Sequence, residues 1–444
     1  MPLFLPFFRL SRLTMLVLLL GLACWTPCTL RASEVLSQKI DLNVQNVSLK
    51  EALDLVAQKG DFIWSYNAQI IAGNKKVSLR VKQWTIREVL YSLLGEGYRF
   101  IARDQYVILK KANKSSKEAF GYIKDEKTGA RIVGATVFDP KTLRATTTDS
   151  NGYYRLKLGK QINTDLVVVK SGFLDGSLSL APQEPRYQAL NLVPLPPDTL
   201  QPRPSKPVTW NTFTQKTAQI FHAGIQKWHE QNVRGSIHRR WQVSFLPIIG
   251  TNHALSGKVA NDWSLNVLSG YSRGVYFLEV GGVANFTKSF VKGAQIAGVY
   301  NQCLGPVEGL QIGGVANTTL DTLLGFQIGG VYNYSAYSDG IGHIGVVSNY
   351  AGKGNLNLQI GGIMNHADSI EAVQIAGITN IANSVQGVQI AGILNNARKM
   401  KGVQIGLINR TSDCECLQIG LLNQIGSRWL PFFNAEGKGS KIRL

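Results

Sequence analysis

Cysteine is scarce, 5 in 444 residues, which excludes a small scaffold stapled by disulfides. Charge is scarce as well: Asp, Glu, Lys and Arg make up 17% of the chain, where an average soluble protein carries about 25%. Beyond the N-terminal stretch, no uncharged apolar run approaches the ~18 residues that mark a membrane-spanning helix. The phosphate-binding P-loop and the His-Glu-x-x-His metal motif are both missing, and no cofactor is expected. Glycine, by contrast, is abundant at 45 residues, well above the usual ~7%. Little charge with much glycine excludes a long coiled coil and points to a β-rich, turn-rich chain. Hydrophobic residues reach 44%, enough to build cores, and the length suits two to four domains of about 100–200 residues each.

The formal charge is +19, from 47 basic and 28 acidic residues. Taken alone it suggests nucleic acid or a membrane surface. Its distribution argues otherwise: residues 275–426 hold 7 Lys/Arg against 8 Asp/Glu, and no Lys/Arg run exceeds two. A solvated basic surface in the N-terminal half is the expectation, with no nucleic-acid partner.

Residues 1–32 read as an export signal. Arg9 and Arg12 precede an apolar run at residues 13–25, and thirteen residues at ~1.5 Å each cover about 20 Å, short of a ~30 Å bilayer core. The segment Leu20-Gly21-Leu22-Ala23-Cys24 resembles a loose lipobox, which makes Cys24 a candidate lipidation site; the alternative is an apolar residue of the signal.

Residues 35–112 form a small α+β module. Alternation at Ile40, Leu42 and Val44 gives a strand. Ser48 with Glu51, and Thr85 with Glu88, are capping boxes that start two amphipathic helices. Gly60 is expected to stop the first helix, and a hairpin around Arg103 and Asp104 closes the module. The run Asn46 to Leu53, then Tyr66-Asn67 and Glu88-Val89-Leu90, resembles the short N-terminal domain shared by secretins and TonB-dependent receptors. That resemblance implies docking to a periplasmic regulator.

Residues 118–195 read as a β-sandwich. Gly134-Ala135 and Thr148-Asp149-Ser150-Asn151-Gly152-Tyr153 resemble the carboxypeptidase regulatory-like domain, a non-catalytic transthyretin-like fold. Asp125, Asp139 and Asp149 are read as turn carboxylates in preference to Ca²⁺ ligands. A Pro-rich linker at 196–210 and a helical segment at 211–232 follow. His222 and His229 on that helix have no third ligand nearby in sequence, so no metal is expected.

Residues 235–434 carry an internal repeat, with 435–444 as a tail. The pattern Gln-Ile-(Gly/Ala)-Gly-(Val/Ile)-x-Asn has anchors at Glu279, Gln295, Gln311, Gln327, His343, Gln359, Gln374, Gln389, Gln404 and Gln418. Successive spacings are 16, 16, 16, 16, 16, 15, 15, 15 and 14. The matching asparagines are Asn285, Asn301, Asn317, Asn333, Asn349, Asn365, Asn380, Asn395, Asn409 and Asn423. A short fixed period means a repeat architecture. Two strands of about four residues and two turns fill one copy. A parallel solenoid places Gln over Gln and Asn over Asn, where side-chain ladders hydrogen-bond along the axis. An antiparallel outer-membrane barrel is the alternative. The solenoid is preferred, with Gln311, Gln327, Gln359, Gln374, Gln389, Asn317, Asn333, Asn365, Asn380 and Asn395 as structural ladder residues and weaker rungs at Glu279 and His343. The segment resembles bacterial surface-repeat proteins built on Gly-x-Gln-Ile-Gly-x-x-Asn units, a family without established enzymatic activity.

The fold class expected is therefore mainly β with an α+β N-terminal domain. The function expected is that of an exported, non-enzymatic protein of a Gram-negative envelope, in the periplasm, outer membrane or cell surface. Its partner would be a periplasmic regulator or outer-membrane protein, with membrane association open. The alternatives are an outer-membrane receptor or transport accessory related to TonB-dependent receptors, and a serine hydrolase. The last rests on Gly270-Tyr271-Ser272-Arg273-Gly274, a nucleophile-elbow pattern expected here in an inter-repeat turn, with His343 and His366 downstream. Cys414 and Cys416 supply half a tetrahedral metal site, so incidental cysteines in a turn are the expectation.

Overall fold

The computed structural model describes residues 34–71, 73–95, 97–111, 118–158, 165–180, 186–187, 189–196, 225–247 and 249–437. The signal with Cys24, most of the Pro-rich linker, His222 and the last seven residues lie outside them.

In the N-terminal unit, the strand Lys39–Ser48 pairs antiparallel with Lys76–Thr85, and each feeds a helix. The helix Leu49–Gly60 begins on Ser48, whose Oγ accepts from the Glu51 N–H while the Glu51 carboxylate accepts from the Ser48 N–H. Thr85 and Glu88 repeat the device at the helix Ile86–Leu94. The first helix ends at Gly60, as expected, but the left-handed cap at φ 50° falls on Asp61; Gly60 itself is packed so close to Ile86 and Phe62 that a Cβ would collide with them. The hairpin Tyr98–Arg103 with Tyr106–Lys111 completes the unit, and Leu53, Val56, Ile86, Leu90 and Val107 lie in its core.

The sandwich packs two small sheets around Ile123, Val137, Tyr154, Leu166 and Val168. Its turn at Asp149 needs Gly152, which sits at φ +67° with Ile123 O too near for a Cβ.

Residues 237–436 form a parallel β-solenoid of about ten turns, not an antiparallel barrel. Each strand pairs in parallel with the equivalent strand one copy on, as Asn365 with Asn380 and Gln374 with Gln389. After the 13-residue strand Ser269–Gly281, copies between Ala294 and Gly329 include the short strands expected from sequence, such as Ala294–Ala297 and Tyr300–Cys303. From Tyr332 onward the strands are longer, 14 residues in Tyr332–Gly345 and 13 in Thr379–Ala391. They run through one corner, where the register shifts between Tyr350 and Asn355 and pairing resumes beyond it, and an inward column of Leu356, Ile370, Val385 and Met400 is buried there. The other corner, at Gly377 and Gly392, does break the ladder: a Cβ on Gly392 would strike Gly377 O.

The last coil is closed by Arg428–Glu436, which pairs antiparallel with Ile408–Ile425 and takes in Ala435 and Glu436, two positions expected in the tail. Such a strand covers one open edge of the stack.

At its other end the solenoid shares a core with the sandwich: Phe138, Leu143 and Val169 pack with Val233, Leu255 and Val259. The described part of the helical segment is Ile225–Asn232. Asn232 Nδ2 donates to Gly134 O at 2.6 Å and to Thr136 Oγ1 at 3.0 Å, and Arg239 reaches Pro140 O at 2.7 Å. Sandwich and solenoid therefore belong to one compact unit.

Candidate functional site

The interior of the solenoid inverts the usual rule. The Gln and Asn of the repeat are buried, while the Ile between them faces outward, because successive strand residues alternate sides. Burying an amide costs several kcal/mol unless its hydrogen bonds are made, so the inward rows must satisfy one another.

The asparagine ladder does so with both amide hydrogens. Asn365 Nδ2 donates to Asn380 Oδ1 at 3.0 Å, Asn380 to Asn395 at 3.0 Å and Asn395 to Asn409 at 2.9 Å. The link runs unbroken from Asn266 to Asn423, through Asn317, Asn333 and Asn349. From Asn285 to Asn409 each Nδ2 also donates to the carbonyl of the outward residue one copy ahead, as Asn380 does to Ile390 O at 2.6 Å. That carbonyl stands just before the glycine corner, where strand pairing stops. Serine, with one donor, cannot serve both acceptors, which is why the position is Asn.

The glutamine ladder runs the other way. Gln311 Nε2 donates back to Gln295 Oε1 at 2.7 Å, Gln327 to Gln311 at 2.7 Å, Gln374 to Gln359 at 2.8 Å, Gln389 to Gln374 at 2.7 Å and Gln404 to Gln389 at 2.6 Å. The N-terminal run of this ladder ends on an acceptor, Glu279, and it is not a weak rung: Oε1 receives Asn266 Nδ2 at 2.9 Å and Ser264 Oγ at 3.2 Å, and Oε2 receives Gln295 Nε2 at 2.9 Å and Thr287 Oγ1 at 3.1 Å. Burial pushes its pKa up, and the four hydrogen bonds oppose that. His343 interrupts the ladder. Its Nε2 lies 3.2 Å from Ser335 Oγ, and Nδ1 has no partner among the described residues.

The hydrolase pattern does not assemble. Ser272 lies inside the strand Ser269–Gly281, not in a turn, and its buried Oγ has no partner among the described residues. His343 sits four pairing steps away, roughly 19 Å at ~4.8 Å per strand. His366 stacks on Tyr350, which stacks on Tyr334. Cys414 and Cys416 are also within a strand, Ile408–Ile425, and are joined as a disulfide; neither is an incidental turn residue. Cys303 is a buried free thiol whose pKa burial pushes up to about 12. In the sandwich, the three carboxylates act as turn acceptors: Asp125 from Lys127 and Thr128, Asp139 from Lys141 and Thr142, Asp149 from Asn151 and Tyr153. His229 meets Thr136 Oγ1 at 3.0 Å, and burial lowers its pKa to about 4.

Residues 119–196 match the family model of the CarboxypepD_reg-like domain. No curated protein and no solved structure matches the chain. The CarboxypepD_reg-like domain thus spans the sandwich, whose Gly134 and Thr136 hold Asn232 at the head of the solenoid.

What the repeat pattern did not disclose is the outer surface. Thirteen register positions from Val243 to Phe433 are Val, Leu, Ile or Phe without exception, and all face away from the ladders. Beside them runs a half-exposed corner row including Val315, Ile363, Ile378 and Ile393. The opposite flank is polar, with Asn396, Arg398, Lys399 and Lys401 exposed in one copy. The signal was in the sequence: the Ile of each repeat, read with period two, falls opposite the Gln.

Proposed function

We propose that this chain is an exported, non-enzymatic interaction scaffold of the cell envelope. The observation that carries the reading is the division of each coil. The residues with chemistry to offer are used up inside, hydrogen-bonded in ladders, while the outward rows form a continuous uncharged apolar sheet. A sheet of this kind is a binding surface and not a catalytic pocket; isolated surface apolar residues need no explanation, but contiguous patches beyond ~300–600 Å² mark interaction sites.

Export is supported by Arg9 and Arg12 ahead of the apolar run at 13–25, and the Cys414–Cys416 disulfide suits an oxidising compartment. The resemblance of residues 35–112 to the secretin and TonB short domain gives the scaffold a docking module, and that of the repeat to surface-repeat proteins agrees with a binding role. The CarboxypepD_reg-like domain joins the head of the solenoid as a spacer. The test is fractionation of Gram-negative cells expressing the full chain, with and without Arg9→Glu and Arg12→Glu. Recovery of the unaltered chain in the envelope and retention of the variant in the cytosol are expected; cytosolic recovery of both would refute export.

A further inference from the structure

We propose that the apolar sheet of the solenoid is covered by a second copy of this chain, packed face to face and antiparallel about a two-fold axis near Ile344. This rests on the reading of the solenoid as an interaction platform and names its occupant.

Three observations carry it. The first is size. Twelve strand steps from Val243 to Phe433 extend about 58 Å at ~4.8 Å each. A width of four or so residues, about 14 Å, gives roughly 800 Å² per copy, the area a stable protein–protein contact uses on each side.

The second is symmetry. In the thirteen-residue row, Ile344 is seventh, with six positions on either side. Its flanks hold the most protruding apolar side chains of the central coils, Ile341 at 60% exposure and Val346 at 67%. The two ends of the row match each other and differ from the aliphatic middle: Trp241 and Phe245 are exposed at the head, Phe432 and Phe433 at the tail. A two-fold through the centre sets aromatic head on aromatic tail twice, and aliphatic on aliphatic between them. An isologous contact requires that self-complementarity, and flat sheets pack in this way about 10 Å apart.

The third is charge. Residues 275–426 are near neutral, with 7 basic and 8 acidic residues. Rim charges pair with each other, as Lys292 with Glu308 and Lys401 with Glu415. An anionic lipid surface would be met by a basic rim, and this rim has none.

The test uses the full chain in analytical ultracentrifugation, with Val243→Lys, Phe433→Glu and the double variant. The unaltered chain should sediment as a dimer. Each single variant should weaken the dimer by at least about 30-fold, as loss of a contact worth ~2 kcal/mol does, with unchanged circular dichroism. The double variant should restore it, since the antiparallel arrangement sets the new ammonium of one copy against the new carboxylate of the other. A dimer indifferent to both substitutions, or no rescue, overturns the proposed pairing. A monomeric unaltered chain that floats with uncharged phosphatidylcholine vesicles overturns self-pairing and leaves the platform with a lipid occupant. A monomer that binds no vesicle overturns the platform reading as well.

Discussion

Gln327 and His343 face each other in register on adjacent coils, and neither the Gln327 Oε1 nor the His343 Nδ1 has a hydrogen-bond partner among the described residues. They mark the one place where the glutamine ladder described above changes residue type between two glutamines.

His343→Gln should therefore stabilise the protein. A new amide at 343 donates to Gln327 Oε1 and removes an unsatisfied buried acceptor, worth about 1–3 kcal/mol. It should also change the pH dependence. Burial pushes the His343 pKa from 6.5 down to about 3, so the unfolded chain takes up a proton that the folded chain refuses. Stability from this site is whole above pH 6.5 and falls as pH drops toward 3, by about 1.4 kcal/mol per unit. Urea midpoints at pH 7 and pH 5 should differ less in the variant than in the parent; an equal difference would remove His343 as the cause.

Asn380→Leu should cost a few kcal/mol. It leaves Asn395 Oδ1 without its donor and breaks the Asn365 link, and each unsatisfied buried group costs about 1–3 kcal/mol. Asn383, three residues on, is exposed on the same strand and donates to Asp368 on the neighbouring coil. Leu there should stay within about ±0.5 kcal/mol. Similar losses at both sites in thermal melts would argue that the ladder is not what holds the stack.

Gly402→Ala should destabilise by about 1–3 kcal/mol through backbone strain alone, and by more through crowding. Gly402 sits at φ +128°, and a Cβ there would meet Gly387 O on the coil before. A chemical denaturation curve unchanged from the parent would show that the corner can relax.

Native alkylation followed by peptide mass analysis should find Cys414 and Cys416 oxidised as a pair and Cys303 unmodified until the chain is unfolded. The disulfide accounts for the first two; burial and a pKa raised to about 12 account for the third. Rapid labelling of Cys303 in the folded chain would contradict its burial.

Much was legible in the sequence by itself. The capping boxes at Ser48 and Thr85 are local chemistry, fixed by a hydroxyl and a carboxylate three residues apart. The turn at Asp149 and Gly152 is local as well, since only glycine takes its backbone angle without strain. The solenoid followed from position-specific identity: a repeat that keeps Gln and Asn at fixed spacing makes sense where like stacks on like. What the tertiary structure decided depends on direction and distance. Which way each ladder donates is invisible in the letters Gln and Asn, and so is the role of Glu279, which is set by the amides that converge on it from other coils. Glycine and charged neighbours favour turns at Ser272 and Cys414, but pairing to the next coil carries the strand through both positions. The outward course of the isoleucines follows from strand alternation and pairing: once stacking on the next coil turns Gln374 and Gln389 inward, the Ile beside each Gln has to face out. The interior is shared between those amides, which bond along the axis, and apolar side chains such as Ala382 and Val385.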